Sequence, residues 1–162
     1  MTISLLRVDE RLLHGQVAVS WSSFLSINTI LIANDEAQSD KTKAMVYDLA
    51  KPAGVKLYIR TVNESGGIIR KFNDSKKSHV LVLAKTIEDA YELIKSSGGV
   101  IKKLNIGGIR STDEKKKFND YVSLSDKEVE ILNEISKLNI DVDFRMLPRD
   151  KKITIDQMLK EG

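Results

Sequence analysis

The feature that most restricts what this chain can fold into is an alternation. Short, nearly unbroken apolar runs (Ile3 to Arg7, Thr29 to Ala33, Lys56 to Arg60 and Val80 to Leu83) are separated by longer segments with helical periodicity. An apolar run without polar alternation marks a strand covered on both faces. Strand, helix and strand repeated in this way build a parallel sheet through right-handed crossovers. Lys103 to Ile106, Tyr121 to Ser123 and Val142 to Arg145 are weaker strand candidates.

The intervening segments carry helix signals. Val17, Trp21, Phe24 and Leu25 fall on one stripe. Lys41 to Ala50 carries Ala44, Met45 and Leu49 and stops before Pro52-Ala53-Gly54. Thr86 to Asp89 and Ser125 to Glu128 read as capping boxes. Gly98-Gly99 closes the helix after the first, and Ile131, Leu132, Ile135 and Leu138 line the helix after the second. The polar tail beyond Pro148 reads as a last short helix. The expected fold is therefore α/β. Residues 1–162 form a single domain with an open, mainly parallel central sheet, helices on both faces, and a short C-terminal strand and helix. A chain of 162 residues needs no disulfide or metal to complete its core.

Composition narrows the chemistry. The chain has no cysteine, which removes disulfides, thiolate metal sites and cysteine nucleophiles. With only two histidines, a multi-histidine zinc site is not expected. The first residues lack a basic leader followed by an apolar core, so no signal peptide is read there. No apolar run approaches the roughly 20 residues that cross a bilayer. The net charge of +3 is diluted by 23 acidic residues, and no aromatic-laced basic stripe points to nucleic acid. The double glycines fit neither GxGxxG nor GxxxxGK[ST], so no nucleotide loop is read. Lys115-Lys116-Lys117 reads as a solvated loop, and His79, at the mouth of an apolar strand, as a structural histidine.

One stretch stands apart. Arg7 to Val17 reads RVDERLLHGQV and joins the first strand to the first helix. In open α/β sheets ligands bind at the carboxyl ends of the strands, and this loop lies there. So do Asn34 and Asp35, after the second strand, and Asn105, Gly107 and Gly108, on a later one; these are candidates for lining a substrate loop. Imidazole is largely unprotonated near neutral pH and is nucleophilic. Gly15 lets a ligand approach the backbone, and a helix starting there offers unpaired N–H groups from Gly15 and Gln16 to an anion. Arg7 and Arg11 are candidates for phosphate oxygens, and Asp9 for fixing the imidazole tautomer. These are the parts of a histidine that accepts and passes on a phosphoryl group, with His14, Arg11 and Asp9 as catalytic residues. A phosphohydrolase or phosphotransferase acting on a small molecule through a transient phosphohistidine is the alternative.

RVDERLLHGQV, followed by Trp21, resembles the active-site signature of the Enzyme IIB component of the mannose/fructose/sorbose family of the bacterial phosphotransferase system. Ile32 to Glu36, Ala50 to Val55, Leu104 to Gly108 and Val142 to Pro148 also resemble family segments, so the likeness covers nearly the whole chain. After Gly108 the chain has Ile109-Arg110 where the family commonly has methionine. The resemblance implies a cytoplasmic phosphohistidine–sugar phosphotransferase subunit, held at the inner face of the plasma membrane through IIC and IID. Its histidine, here His14, receives phosphoryl from Enzyme IIA and delivers it to a sugar carried by IIC and IID. No cofactor, metal or nucleic acid is implied. A homodimer is compatible with the sequence, although no sustained heptad marks an interface.

Overall fold

The computed structural model describes residues 2–161. Six strands form one sheet: β1 (Ile3–Asp9), β2 (Thr29–Ala33), β3 (Lys56–Arg60), β4 (Val80–Ala84), β5 (Lys103–Gly108) and, near the C-terminus, β8 (Asp141–Asp143), in the order β3-β2-β4-β1-β5-β8. Every pairing in it is parallel. A separate two-stranded antiparallel hairpin, β6 (Lys116–Lys117) and β7 (Ser123–Leu124), follows β5. The helices are α1 (Gly15–Leu25), α2 (Asp35–Ser39), α3 (Lys41–Ala50), α4 (Val62–Asn73), α5 (Ile87–Ser96), α6 (Asp126–Ser136) and α7 (Ile155–Glu161).

The order of the strands makes a functional point. From β1 the chain moves outward to β2 and β3, returns to β4, then crosses β1 to reach β5. The reversal places a crevice at the carboxyl end of β1, where such sheets bind ligands.

Side-chain alternation divides the molecule into two cores. Leu6 and Val8 of β1, Val80 and Val82 of β4, and Leu104 and Ile106 of β5 pack with Ile69, Leu93 and Leu132 of the helices α4, α5 and α6. On the other face Leu5, Leu81 and Leu83 pack with Ala18 and Trp21 of α1 and with Leu12 and Leu13 of the loop before it. On that second face β1 also carries Arg7 and Asp9. Both are buried, and both fall in the same alternating set as Leu5.

Several elements depart from the sequence reading. The apolar residues Met45 and Leu49 of α3, and Phe24 of α1, face outward; α3 meets the core instead through Tyr47 and Ala50. Lys115 is only partly exposed: its ammonium pairs at 3.2 Å with Glu128, itself the N3 acid of the α6 capping box, while Lys116 and Lys117 are exposed but form β6 rather than a loop. The strand expected at Tyr121 to Ser123 is displaced: the second arm of that hairpin is Ser123–Leu124, and Val122 makes only an isolated bridge to Ile109. His79 is exposed; its carbonyl accepts from the backbone of Asn28 and Thr29, so the main chain does the structural work expected of the ring. Gly66 lies inside α4 against Ser96 of α5, where a side chain would collide with it.

Candidate functional site

The loop from Asp9 to His14 is held at several points. The Leu12 N–H donates to the Asp9 carbonyl at 2.9 Å, closing a tight turn, and the Asp9 carboxylate accepts the Arg11 N–H at 2.9 Å. This is the local Asx geometry that aspartate favours in turns. Leu12 takes a left-handed backbone with φ of 56°, yet it and Leu13 are buried in the core beneath α1. Glu10 is tied by its N–H to the Gly108 carbonyl at 3.0 Å.

Asp9 organises the site. Its carboxylate is 1% exposed. One oxygen, Oδ2, accepts from Arg7 at 3.1 Å and from His14 Nε2 at 3.1 Å. The other, Oδ1, faces Arg11 Nε at 3.6 Å. With Nε2 donating to a carboxylate, the second ring nitrogen of His14, Nδ1, carries the lone pair. The His14 side chain remains 24% exposed, so the ring is anchored on one edge and open on the other.

His14 is also the N-cap residue of α1, with extended backbone and no side-chain cap bond. Its carbonyl accepts from Ala18 at 3.2 Å, which leaves the amides of the first turn, Gly15 to Val17, as free donors beside the imidazole. Gly15 takes φ of 23° and is exposed, as is Gln16. No acidic residue occupies the first turn, so the positive end of the helix is not neutralised there.

The two arginines differ. Arg11 is 58% exposed and can turn toward an anion on His14. Arg7, expected to bind phosphate, is 1% exposed, and its guanidinium is spent inside the protein. It donates to Asp9, to the Asn105 side chain and, at 3.1 Å, to the Arg145 carbonyl. Burial pulls its pKa below the ordinary arginine value, and the neighbouring Asp9 carboxylate opposes that shift. Arg7 therefore supports Asp9 and does not reach a phosphate.

The remaining candidates are placed as follows. Asn105 is fully buried and bonds Arg7, so it lines no substrate loop. Gly107 and Gly108 make room: a Cβ on Gly107 would overlap the Arg7 guanidinium, and one on Gly108 would come within 3.3 Å of the Asp9 carboxylate. The β1–β5 register shifts between Val8 and Asp9, which pairs with Gly108 and leaves Gly107 as a bulge beside the site. Asn34 and Asp35 are caps. Asn34 accepts from Ala37 at the start of α2, and Asp35 accepts from Val62 at the start of α4, at 2.9 Å each. Neither bonds a member of the histidine cluster.

Sequence reasoning did not single out Asp143, Arg145 and Met146 as site residues. Asp143 pairs with Arg145 at 3.1 Å, and Met146 sulfur accepts from Arg7 at 3.5 Å. The signal was present as polar residues at alternate positions, Asp143 at the end of β8 and Arg145 just beyond it, alternating with the buried Val142 and Phe144. A cleft of about 700 Å³ opens beside Arg11, between the end of β5 and the β6–β7 hairpin, and its lining includes Asp9, Arg11, Arg110, Lys117, Tyr121 and Met146. His14 stands outside that lining, at the exposed end of α1. Among the described residues there is no cluster of side chains suited to a metal ion, and no helix long and apolar enough to cross a membrane.

Comparisons with known proteins agree with this fold. A family model described as PTS system sorbose subfamily IIB component matches residues 3–162. A probable phosphotransferase enzyme IIB component of Streptococcus pyogenes serotype M6 is 32% identical over 97% of this chain and 99% of its own. The mannose-specific EIIAB component of Escherichia coli K12 is 28% identical over 99% of this chain, which spans 49% of that longer protein. Among solved structures, the IIB domain of the sorbose permease of Klebsiella pneumoniae superposes with a TM-score of 0.89 at 27% identity, covering 100% of this chain and 99% of that one.

Proposed function

The chain belongs to the sorbose subfamily of IIB components of the phosphotransferase system, and we propose from that membership and the site geometry that His14 is its phosphoryl carrier and Nδ1 the atom that bears the group. The observation that carries this reading is the Asp9–His14 contact at 3.1 Å, which occupies Nε2 and leaves Nδ1 outside that bond on the residue that caps α1.

The chemistry is a displacement between nitrogens. The donor is a phosphohistidine on a IIA component. The Nδ1 lone pair of His14 attacks phosphorus while the donor's N–P bond breaks and its electron pair returns to the donor ring. His14 needs no general base, because Nδ1 carries no proton. As the new N–P bond forms, the ring becomes cationic, with its Nε2 proton still in place. The Asp9 carboxylate stabilises that charge and keeps the plane of the ring fixed. Arg11 and the backbone N–H groups of Gly15 and Gln16 hold the equatorial oxygens. Bond made and bond broken are of one kind, so the step is close to balanced and reversible. A sugar hydroxyl presented by membrane components IIC and IID takes the group in the second transfer. On this reading the chain works in the cytoplasm at the inner face of the membrane.

Of the three cations lining the cleft, Arg110 pairs with Glu10 at 2.8 Å and Lys117 with Asp120 at 3.8 Å, which leaves the exposed Arg11 to meet a negatively charged donor. Opposite charge on the donor would raise the encounter rate, and that gain falls with ionic strength.

The direct test is phosphorylation by a reconstituted donor chain ending in phosphorylated IIA, read by intact mass. Wild type gains one acid-labile phosphate and His14→Gln gains none. Label on the His14→Gln variant would end the assignment. Transfer that is unaffected by salt up to physiological strength would remove charge steering by Arg11 from it.

A further inference from the structure

Three strands carry one rung of polar side chains across the sheet. Arg7 of β1 pairs in register with Asn105 of β5, and Asn105 with Asp143 of β8. Arg7 is 1%, Asn105 0% and Asp143 5% exposed. Asn105 sits between a cation and an anion and serves each with the matching end of its amide. Its carbonyl oxygen accepts from Arg7. Its Nδ2 donates to Asp143 Oδ1 at 2.8 Å and to the Arg145 carbonyl at 3.1 Å. Behind it Asp143 pairs with Arg145 at 3.1 Å. Two ion pairs, the buried Arg7 with Asp9 and the partly buried Arg145 with Asp143, are thus joined through a neutral residue. The Trp21 ring holds both guanidinium groups near it, at 5.5 Å for Arg7 and 5.4 Å for Arg145, and its indole N–H donates to the Met146 carbonyl at 3.0 Å.

We propose that Asn105 is a positioning residue for phosphoryl transfer: by bonding Arg7 without bringing a negative charge, it commits the Arg7 cation to Asp9 and so keeps His14 Nε2 closed and Nδ1 open. The inference rests on the phosphohistidine reading above. Its physical basis is competition in a poorly screened interior. A carboxylate at position 105 would share Arg7 with Asp9, and attraction between buried charges is strong enough there to redistribute the guanidinium. Asp9 would then hold the imidazole less firmly. Nε2, the ring nitrogen farther from the backbone, would become free to take the phosphoryl group. An amide avoids this, because its acceptor is neutral and its donors are spent on Asp143 and Arg145.

The test is the exchange variant Asn105→Asp/Asp143→Asn. It conserves net charge and the hydrogen bond between the two positions but moves the carboxylate next to Arg7. Phosphoramidate serves as the donor: its P–N bond breaks as ammonia leaves with the electron pair, and phosphorus bonds to the ring nitrogen that attacks. Phosphorus NMR distinguishes Nδ1- from Nε2-phosphohistidine, and circular dichroism checks the fold. Wild type should give the Nδ1 isomer alone. The exchange variant should give a mixture containing Nε2, with labelling slowed roughly tenfold by the lost alignment. Asn105→Ala, which removes the partner without adding charge, is the second variant and should also give a mixture. A pure Nδ1 product at the wild-type rate in either folded variant overturns the proposal. Wild type that takes no phosphate on His14 overturns the underlying carrier reading as well, so the two failures are told apart.

Discussion

Gly107 leaves open the volume that the Arg7 guanidinium fills: a Cβ at that position would overlap its central carbon and both terminal nitrogens. An arginine head group can usually swing aside, but this one is buried and bonded to Asp9 and Asn105. Moving it breaks a buried ion pair, which costs about 3–5 kcal/mol. Gly107→Ala should therefore lose about 3 kcal/mol, or roughly 6–12 °C in Tm for a chain of this size, by thermal unfolding. Gly108→Ala faces only a 3.3 Å approach to the Asp9 carboxylate; a small shift relieves it, and a loss of about 1 kcal/mol is expected. Equal losses at the two positions would show that Arg7 is not confined as described.

Lysine replacements separate the roles of the two arginines. Lysine cannot reproduce the several bonds of the Arg7 fork, so Arg7→Lys should cost about 2–4 kcal/mol of stability and slow transfer along with it. Arg11 is exposed and its contact with Asp9 is a 3.6 Å ion pair. Such pairs contribute about 0–1 kcal/mol, so Arg11→Lys should unfold like wild type. Loss of a donor to developing charge slows a reaction by about 10²–10³, so Arg11→Ala should cut single-turnover transfer on that scale with the fold intact. Unchanged transfer in Arg11→Ala would take Arg11 out of the site.

Much of this architecture was legible in the residue pattern. β2 falls where the apolar run TILIA places it, because a buried parallel strand announces itself as an unbroken apolar stretch; β3 falls at KLYIR, although as the edge strand it is only half-buried. The histidine loop was legible because RVDERLLHGQV concentrates chemistry that a solvated turn does not require. What escaped was the direction of each side chain. Arg7 and Arg11 look equivalent in sequence, but Arg7 still belongs to β1 and alternates inward with Leu5, while Arg11 lies beyond the strand end. Asn105 and Asp143 were missed as Arg7's partners because a rung across three strands depends on register, and no local pattern encodes register. Asn34 and Asp35 were drawn toward the site by their place at the sheet's carboxyl edge, yet each caps a helix. The same residue types serve both purposes at that edge.

Asp89, at the start of α5, gives a pH-dependent expectation. Desolvation raises its pKa, the negative charges of Asp35, Glu88 and Glu92 add to the rise, and a bond from Thr86 opposes it. A carboxyl that binds its proton more tightly in the folded than in the unfolded chain stabilises the fold when protonated. That contribution is lost as pH climbs through the raised folded-state value. Asp89→Asn lacks this titration. Its unfolding free energy relative to wild type should rise as pH climbs above the ordinary aspartate value near ~3.9 and through the raised folded-state value, and then level off. A difference that stays constant over that interval in chemical denaturation would refute the desolvation argument.

Leu12 combines a left-handed backbone, φ 56°, with a side chain buried beside Trp21. The conformation costs a residue with a Cβ about 1–2 kcal/mol. Glycine at this position removes that cost but adds about 0.5–1 kcal/mol of unfolded-state entropy and forfeits the buried leucine, which is worth about 2–5 kcal/mol. The packing term is larger, so Leu12→Gly should be destabilised by about 2–3 kcal/mol despite the relief of strain. The same loss frees the turn that leads into His14, the proposed carrier. Transfer should therefore slow in Leu12→Gly even below its unfolding transition, where the fraction folded is unchanged. A variant that is more stable than wild type would mean that the backbone strain outweighs the anchoring, and that the loop is held by the Asp9 carboxylate alone.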